Sequence, residues 1–507
     1  MCVVVGGVRA GCFSPNRLTE HSTMPTRREF CASLATAAAA TVAPIPISVG
    51  TISKPSVKPY RTDKPLLQLQ QDFVDLRFGM FVHFNMATFQ NREWGDPTGP
   101  TEAFDPTHLD TDQWAEAAVS AGMTYAAITP KHHDGFCLWP TKTKSASVLQ
   151  TPKKLDVFKS FVESFRKRGL KVGFHFSILD LRQDIRHFDI TPAKLQLIKD
   201  QLTELLTHYG EISVVIFDGW DAPWSRIPYS EVRFDEIYRL VKELQPNCLV
   251  CELNASQYPP SALYYSDIKA FEQNAGQHIP GDSSIPAQSC VTLTDGWFWK
   301  QGDENRDLKS VHQVVEEWLK PQNDLHCNLI LNAPPTTDGV LAPNVVARLA
   351  EIGKAWKANG PVGTVDSSVV ITTLNLATGK PIYASSCADT VGPDQANDGR
   401  FTSHWTPDSG KKEAWLEIDF REATEFNILV LVEPVGHSDD YPASRIQKYR
   451  FERFDGTSWV ELAHGGTPSR VQIHTVPRLS ARKVRLVLEG SQADFSVSDI
   501  GVYNEPR

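Results

Sequence analysis

The chain of 507 residues lacks the features that mark several large classes of protein. Its formal net charge is −9 and it shows no stripe of basic residues, which argues against a nucleic-acid partner. The weakly apolar run near the amino terminus, residues 31–43, is shorter than the roughly 20 residues that cross a membrane. We therefore expect no nucleic-acid binding and no membrane span.

Cysteine patterns typical of zinc and redox sites are also missing. The chain has nine cysteines, and Cys248 and Cys251 form a CxxC pair, but no second CxxC or histidine pair accompanies it. The run CLVCEL, residues 248–253, is typical of a buried strand in which cysteine packs as a small hydrophobic residue. We expect no zinc or redox role for this pair.

The first 45 residues differ in composition from the rest of the chain. Arg27 and Arg28 precede an alanine-rich run and then small residues and prolines, with Met24 as a candidate start. This order is typical of a bacterial twin-arginine export signal. We expect residues 1–45 to be a signal and residues 46–65 a linker, and the protein to be exported to the periplasm or the extracellular space.

From about residue 60 to 360, apolar runs alternate with amphipathic segments. The apolar runs are typical of strands buried on both faces: 78–84, 124–130, 171–178, 212–218, 248–253 and 327–332. The amphipathic segments predict helices over 111–122, 156–169, 191–210 and 234–246. No glycine-rich phosphate loop follows the first strand, so residues 66–363 are predicted to form a (β/α)₈ TIM-like barrel rather than an open doubly wound sheet. The pattern does not assign residues 254–326.

The pattern changes after a predicted closing helix over residues 349–363. Short alternating strands such as AWLEIDF and FNILVLVEP follow, separated by turn residues. The run FDGTSW is typical of a β-hairpin turn. Residues 366–507 are therefore predicted to form a separate all-β sandwich.

Enzymes of this fold carry their active sites at the carboxyl ends of the barrel strands. Polar side chains lie at or near the ends of predicted strands, and Glu272 lies in the run SDIKAFEQN of the unassigned stretch. These side chains are His83, His132, His133, Asp134, His175, Asp218 and Glu272. Carboxyl and imidazole groups collected at one rim predict a polar pocket.

Two kinds of chemistry could use such a pocket. A metal site needs three or four converging ligands, but adjacent histidines on an extended segment point in opposite directions, so we expect no metal in the barrel. Glycoside cleavage needs one carboxylate to attack and one carboxylic acid to protonate the leaving oxygen. Asp218 closes a strongly apolar strand and suits the first role. Glu272 suits the second, as the only glutamate between Glu252 and Glu304, with apolar neighbours that would raise its pKa.

Several runs resemble the α-L-fucosidases of glycoside hydrolase family 29 across residues 70–363. They are RFGMFVHF, the Glu-Trp pair at 93–94, TPKHHDGFCLWP, VVIFDGW and NLILNAPPTTDGV. The resemblance implies an exo-acting, retaining α-L-fucosidase that needs no cofactor. Its substrates would be fucosylated oligosaccharides or glycoconjugates.

The resemblance also implies roles for single residues, with Asp218 as the nucleophile and Glu272 as the acid/base. The side chains implied to bind fucose are His83, Glu93, Trp94, His132, His133, His175 or its neighbour Phe176, Trp297 and Trp299. Asp134 would join the two histidines in gripping the sugar, with Phe136 and Trp139 shaping the wall. The chain departs from the family pattern at HFN, where HWG is common, and at Ile216, where some members have tryptophan.

The runs ANDGRFTSHW and WLEIDF resemble the start of discoidin-type (F5/8 type C, family 32 carbohydrate-binding) modules. This resemblance implies a structural calcium ion near the first loops, with Asp398 as a contact. The module could bind sugar or only pack against the barrel. Two other functions stay open at this point: a non-catalytic fucose-binding protein and a barrel metallohydrolase.

Overall fold

The computed structural model describes residues 64–258, 262–281, 283–358, 362–388, 391–434, 445–467, 471–489 and 495–506. They belong to one compact unit, Val57–Arg507. The predicted export signal and most of the predicted linker lie outside the described residues. In the described part of the chain, no helix is both long and apolar enough to cross a membrane.

Eight parallel strands form a nearly closed barrel, which confirms the predicted fold. In chain order the first nine strands are β1 (Phe78–Val82), β2 (Tyr125–Lys131), β3 (Lys171–Ser177), β4 (Val214–Asp218), β5 (Leu249–Glu252), β6 (Leu263–Tyr264), β7 (Lys269–Glu272), β8 (Ala287–Thr292) and β9 (Cys327–Asn332). All but β6 belong to the barrel, in the order β5-β4-β3-β2-β1-β9-β8-β7. One parallel bridge between Cys251 and Ile268 joins the two ends of this sheet.

Side chains just before β7 hydrogen-bond to β5 where the two ends of the barrel sheet meet. The amide of Val250 donates to the Asp267 carboxylate at 2.8 Å, and the Asp267 amide donates back to the Val250 carbonyl at 2.7 Å. The amide of Glu252 donates to the Ser266 hydroxyl at 2.7 Å. The Lys242 ammonium lies 2.7 Å from the Asp267 carboxylate and partners its charge. A carboxylate and a hydroxyl therefore satisfy amides of β5 that no strand pairs, as buried amides require.

Helices cover the outside of the barrel. They are α1 (Leu66–Val74), α2 (Met86–Phe89), α3 (Thr111–Ser120), α4 (Val157–Lys167), α5 (Pro192–His208), α6 (Phe234–Leu244), α7 (Lys320–Asp324) and α8 (Pro343–Ala355). The four predicted amphipathic helices are confirmed as α3 to α6. Side chains of Asp110, Asp156 and Thr191 begin three of these helices by accepting a hydrogen bond from an amide in the first turn.

The predicted bounds of the closing helix are wrong. The helix α8 begins at Pro343 and ends at Ala355, not at 349 and 363. Proline suits the first helical position because its missing N–H would have no partner there. At the other end Trp356 is extended, with ψ 132°, and stops the helix before the glycine that the sequence suggested.

The barrel interior is a packed core. Its apolar side chains are Phe81, Tyr125, Ala127, Val214, Ile216, Leu249, Cys251, Ile268, Ala270, Cys290 and Ile330. Leu69 and Phe73 of α1 extend this cluster. Cys248 packs in a different cluster from Cys251, so the two cysteines of the CxxC pair lie on opposite sides of β5, and both are free and buried.

The C-terminal region is an antiparallel β structure around its own core, as predicted. Its strands are β10 (Val370–Ile371), β11 (Ile382–Ala384), β12 (Ala414–Val432), β13 (Lys448–Phe454), β14 (Trp459–Gly465), β15 (Val471–Glu489) and β16 (Asp499–Tyr503). The predicted hairpin joins β13 and β14, and Gly456 adopts φ 108° in its turn. Register shifts between β12 and β15 interrupt their long pairing and bend both strands around the core.

The C-terminal region packs against the barrel. The strand β10 pairs in parallel with β6, which lies in the barrel half of the chain. Thr372 and Thr373, directly after β10, are in turn bound to the rest of the C-terminal region, because the buried Glu505 carboxylate accepts hydrogen bonds from their amides at 2.7 and 2.9 Å. Phe401 packs edge-on against Tyr258 of the loop after β5, with 5.0 Å between ring centroids. This packing fixes the module next to a loop that also approaches the barrel rim.

Candidate active site

A cavity of about 650 Å³ opens at the carboxyl ends of the barrel strands. The predicted catalytic and fucose-binding residues line it, except Asp134 and Trp299. Further side chains that line it are Phe81, Trp224, Leu253, Asn274, Cys290, Thr292, Asp295, Lys300 and Lys309. The parallel strands bring residues as far apart in the sequence as Phe81 and Lys309 to this one rim, as a barrel requires.

Asp218 is the last residue of β4, and donors hold both of its carboxylate oxygens. His175 Nε2 lies 3.3 Å from Oδ2, and Asn254 Nδ2 donates to Oδ1 at 3.1 Å. His133 Nε2 lies 3.6 Å from Oδ2. Burial by itself would raise the pKa of Asp218, but the His175 hydrogen bond, the nearby His133 ring and the Asn254 amide together lower it to about 2. Asp218 is therefore ionised across the neutral range.

His133 is a neutral ring whose acceptor nitrogen, Nε2, faces the cavity beside Asp218. The Ser177 hydroxyl donates to the Leu179 carbonyl at 2.7 Å, so it accepts from His133 Nδ1, which lies 2.7 Å away. Burial lowers the pKa of His133 to about 4. This network assigns the proton to Nδ1 and leaves the lone pair of Nε2 to accept a hydroxyl beside Asp218.

His83, directly after β1, is held in the same way as His133. The Asn332 amide donates to the Trp297 carbonyl at 2.8 Å, which turns its oxygen toward His83 Nδ1 at 2.7 Å. Burial lowers the pKa of His83 and that of His132 well below the usual value. The Nδ1 of His132 has no hydrogen-bond partner among the described residues. Three neutral imidazoles therefore face one cavity, a set suited to the hydroxyls of an uncharged ligand.

Glu272 ends β7 and also lines the cavity. Burial and the negative charge of Asp218 raise its pKa to about 7, against a hydrogen bond with Trp297 that acts in the opposite direction. The cavity thus holds one carboxyl group that is ionised and one that keeps its proton up to neutral pH. Such a pair is typical of general-acid chemistry beside a fixed negative charge.

Aromatic rings flank these polar groups. The Trp94 ring lies 4.6 Å from the His133 ring and 5.0 Å from the Trp224 ring. Trp94 is 37% exposed and Trp224 is 42% exposed. Glu93 accepts from the Trp297 amide at 3.0 Å and pairs with Lys300 at 2.6 Å. Exposed indole faces beside hydroxyl acceptors form a surface on which a sugar ring can stack.

Sequence reasoning missed Trp224 and Asn254. Trp224 lines the cavity from the loop after β4, the strand that carries Asp218. Its place just after that strand could have identified it from the sequence. Asn254 follows β5 and touches Asp218 through its side chain alone, a contact that no spacing in the sequence indicates.

The structure corrects the placement of Asp134 and Trp299. Asp134 is fully buried and does not line the cavity, and its Oδ2 accepts from the Phe136 amide at 3.1 Å. Trp299 does not line the cavity either, because the chain turns the face of Trp297 toward it and buries Phe298 against the rings of His83 and His132.

The other supporting residues lie behind the wall. Phe136 and Trp139 are buried, and the Trp139 indole donates to Glu204 at 2.7 Å, so both support the loop of the two histidines from within. Phe176 packs under the buried Lys131 ammonium at 4.2 Å. The contact with the cavity on β3 is therefore His175.

Within the described ranges, no group of three or more His, Cys, Asp or Glu side chains is placed to hold a metal ion. In the C-terminal region, Asp398 accepts from the Arg400 amide at 2.8 Å and from the Ser403 hydroxyl at 2.7 Å. Both carboxylate oxygens thus serve the turn that carries them.

The substitution Gly135→Ala tests the loop that carries His132 and His133. Gly135 has φ 90°, and a Cβ there would lie 2.0 Å from the carboxylate of Asp180. We expect the variant to lose about 1–3 kcal/mol of unfolding free energy from the backbone conformation alone, and more from the clash, measured by urea denaturation. The control Gly466→Ala, where no atom lies within 4 Å, should change it little. Equal midpoints for Gly135→Ala and the parent chain would contradict this account.

Comparison with known protein families agrees with this geometry. The family model described as alpha-L-fucosidase matches residues 89–361, and the F5/8 type C domain model matches residues 381–500. The putative alpha-L-fucosidase 1 of Oryza sativa subsp. japonica is 26% identical over 467 residues, covering 86% of this chain and 84% of that protein. Alpha-L-fucosidase 1 of Arabidopsis thaliana is 25% identical over 455 residues, covering 84% of each.

Solved structures share the fold. The putative alpha-L-fucosidase from Bacteroides thetaiotaomicron aligns with a TM-score of 0.50 at 23% identity, covering 89% of this chain and 99% of that one. Alpha-L-fucosidase isoenzyme 1 from Paenibacillus thiaminolyticus aligns with a TM-score of 0.50 at 23% identity, covering 84% and 100%. Since the fucosidase model covers more than half of the chain, the protein belongs to the alpha-L-fucosidase family of glycoside hydrolases and carries a C-terminal F5/8 type C domain.

Proposed function

We propose that the chain is an exo-acting, retaining α-L-fucosidase in which Asp218 is the nucleophile and Glu272 the acid/base. The observation that carries the proposal is that Asp218 at the end of β4 and Glu272 at the end of β7 line one cavity, the first held by donors on both oxygens and the second largely buried. These environments shift the two pKa values in opposite directions, to about 2 for Asp218 and to about 7 for Glu272. A nucleophile must be ionised and a general acid must be protonated at the same pH. These two environments meet both needs.

The reaction has two displacements. First an oxygen of Asp218 bonds to the anomeric carbon, the bond to the leaving oxygen breaks, and the Glu272 proton passes to that oxygen. Then water attacks the same carbon, gives its proton to Glu272, and releases the Asp218 carboxylate. Each step inverts the anomeric carbon, so the product keeps the configuration of the substrate.

The rest of the cavity suits the terminal fucose of a fucosylated oligosaccharide or glycoconjugate. Neutral His83, His132 and His133 offer acceptors for hydroxyl groups without a charge that would need a counter-ion. Trp94 and Trp224 offer apolar faces for the sugar ring and its methyl group. Phe81 and Cys290 belong to the barrel core and also line the cavity, which supports a closed base that accepts one chain end.

Glu252 is the other buried glutamate near Asp218. Burial raises its pKa to about 8, but its side chain is fully buried and it does not line the cavity. A general acid must reach the leaving oxygen. This supports Glu272 in that role.

Two further proposals rest on sequence patterns alone. Arg27, Arg28 and the alanine-rich run after them support export through the twin-arginine route to the periplasm or beyond. The match of residues 381–500 to F5/8 type C domains supports a carbohydrate-binding type of module, which either binds glycan or only packs against the barrel. The hydrogen bonds of both Asp398 oxygens within their own turn do not support that residue as a calcium contact.

Azide rescue tests the two catalytic roles. We expect Asp218→Ala to lose hydrolysis of an aryl α-L-fucoside and, with azide, to form the inverted β-fucosyl azide, because azide fills the space of the nucleophile. Glu272→Ala should be slower by about 10²–10⁴-fold on a poor leaving group and should form the retained α-fucosyl azide. Asp455→Ala, in an exposed turn of the C-terminal region, is the control. If the parent chain binds fucose but hydrolyses no fucoside, the assignment as an enzyme is wrong. If a chelator abolishes the activity, the protein is a metallohydrolase instead.

The pH profile tests the state of Glu272. Because the acid must keep its proton and its pKa is about 7, kcat/KM should fall about tenfold per pH unit above 7. Asp218, with a pKa of about 2, should cause no loss of activity between pH 4 and 7. Glu272→Gln should remove the decline above pH 7 on an activated aryl fucoside. Persistence of the same decline in Glu272→Gln would assign it to another group.

The export proposal predicts that the double variant Arg27→Lys/Arg28→Lys stays in the cytoplasmic fraction of a bacterial host with a twin-arginine pathway. The parent chain should appear in the periplasmic fraction or the medium. Arg9→Lys/Arg17→Lys, upstream of Met24, is the matched control and should be exported like the parent. Equal export of all three would refute the signal.

A further inference from the structure

A fully buried acid touches the residue that holds Asp218. Glu252 is the last residue of β5 and is 0% exposed. Its Oε1 accepts from Asn254 Nδ2 at 3.3 Å, and the same nitrogen donates to Oδ1 of Asp218 at 3.1 Å. One amide group therefore joins a carboxyl group outside the cavity to the proposed nucleophile inside it.

These contacts select one orientation of the amide. An asparagine nitrogen carries two hydrogens and can serve two acceptors, whereas its oxygen can only accept. The flipped amide would place its oxygen against the ionised carboxylate of Asp218 and would remove the donor to Oε1 of Glu252. The two acceptors together therefore keep the nitrogen of Asn254 directed at Asp218.

Glu252 is itself held from several directions. The Tyr229 hydroxyl donates to its Oε2 at 2.6 Å, and its own amide donates to Ser266 at 2.7 Å. The Tyr229 ring stacks on Tyr265 with 3.9 Å between centroids. Because these contacts already hold the Glu252 side chain in one conformation, it can orient the Asn254 amide without itself becoming more ordered.

The turn that carries Asn254 is held as well. Lys269 is buried and donates to the carbonyls of Ala255 and Tyr258 at 2.7 Å each. Tyr258 in turn packs against Phe401 of the C-terminal module. The backbone around Asn254 therefore rests on the barrel strand β7 and on the module.

We propose that Asn254 and Glu252 are positioning residues for the nucleophile: the Asn254 amide holds Oδ1 of Asp218 in the plane of attack, and Glu252 orients that amide. The inference rests on the proposed function, since it takes Asp218 as the attacking group. His175 holds the other oxygen, so the carboxylate is fixed at both ends. Preorganised donors of this kind act without reorganising during the reaction.

The experiment measures attack by Asp218 alone. The compound 2-deoxy-2-fluoro-α-L-fucosyl fluoride transfers its sugar to the nucleophile, and fluoride leaves without a proton, so Glu272 is not needed for that step. In Glu252→Gln, an amide whose oxygen accepts from Tyr229 places its NH2 group against the nitrogen of Asn254. We therefore expect this variant to slow inactivation by about 10- to 100-fold, the range that misplacement of a reacting group costs. The dissociation constant for fucose should stay unchanged, because Glu252 does not line the cavity.

Three variants separate positioning from a general structural effect. Asn254→Ala, at a half-buried position, should slow inactivation at least as much as Glu252→Gln and tests the inference even where the buried variant folds poorly. Because Glu252 acts through Asn254, the double variant should be no slower than Asn254→Ala. Glu505→Gln, a buried and multiply bonded glutamate of the C-terminal region, should inactivate at the parent rate.

The outcomes distinguish this inference from the proposed function. If the parent chain forms no fucosyl adduct on Asp218, the proposed function fails. If it forms the adduct and Glu252→Gln and Asn254→Ala inactivate at the parent rate, only the positioning role fails. Effects of the two substitutions that multiply in the double variant would also overturn it, since they would then act independently.

Discussion

The site depends on keeping one buried carboxylate ionised. Taking a carboxylate out of water favours its neutral form, and an unpartnered Asp218 in this cavity would be a weak nucleophile. Donors on both oxygens, from His175 and Asn254, reverse that effect. The barrel supplies them because neighbouring parallel strands end at the same rim, with β3 and β5 on either side of β4.

The same buried environment acts in opposite ways on the other groups. Burial lowers the pKa of His83 and His133 by more than the nearby charge of Asp218 raises it, and burial also lowers the pKa of His132, so these rings stay neutral. Burial raises the pKa of Glu272, which keeps its proton up to neutral pH. The ionised Asp218 adds to the shift of Glu272. Burial and the hydrogen-bonded charge of Asp218 thus together set the protonation of the acid, the acceptors and the nucleophile.

The barrel strands that are apolar along their length could be predicted from the sequence, and so could the histidines and Asp218 at their ends. The strands β7 and β8 could not, because Lys269, Glu272, Gln288 and Ser289 interrupt their apolar pattern. Lys269 is buried there because the carbonyls of Ala255 and Tyr258, in the loop after β5, accept hydrogen bonds from its ammonium group. Asn254 and Trp224 were missed for the same reason, since tertiary contacts alone give them a role.

The two site predictions that the structure corrected, Asp134 and Trp299, each lie next to residues that do reach the cavity. Asp134 belongs to the same motif as the two histidines, yet Gly135 turns the chain at φ 90° and leaves the carboxylate inside the protein. Trp299 shares a run with Trp297, but alternate side chains of that run do not face the same cavity. A motif identifies a loop, and the backbone of the loop decides which of its side chains reach the ligand.

The measurement that tests the central claim most directly is peptide mapping by mass spectrometry of the fucosyl–enzyme adduct formed with a 2-fluoro-fucosyl fluoride. The account predicts one modified peptide, with the sugar on the Asp218 carboxylate. An adduct on Glu272, on Glu252 or on a histidine, or turnover of natural fucosides without a trappable adduct, would contradict it.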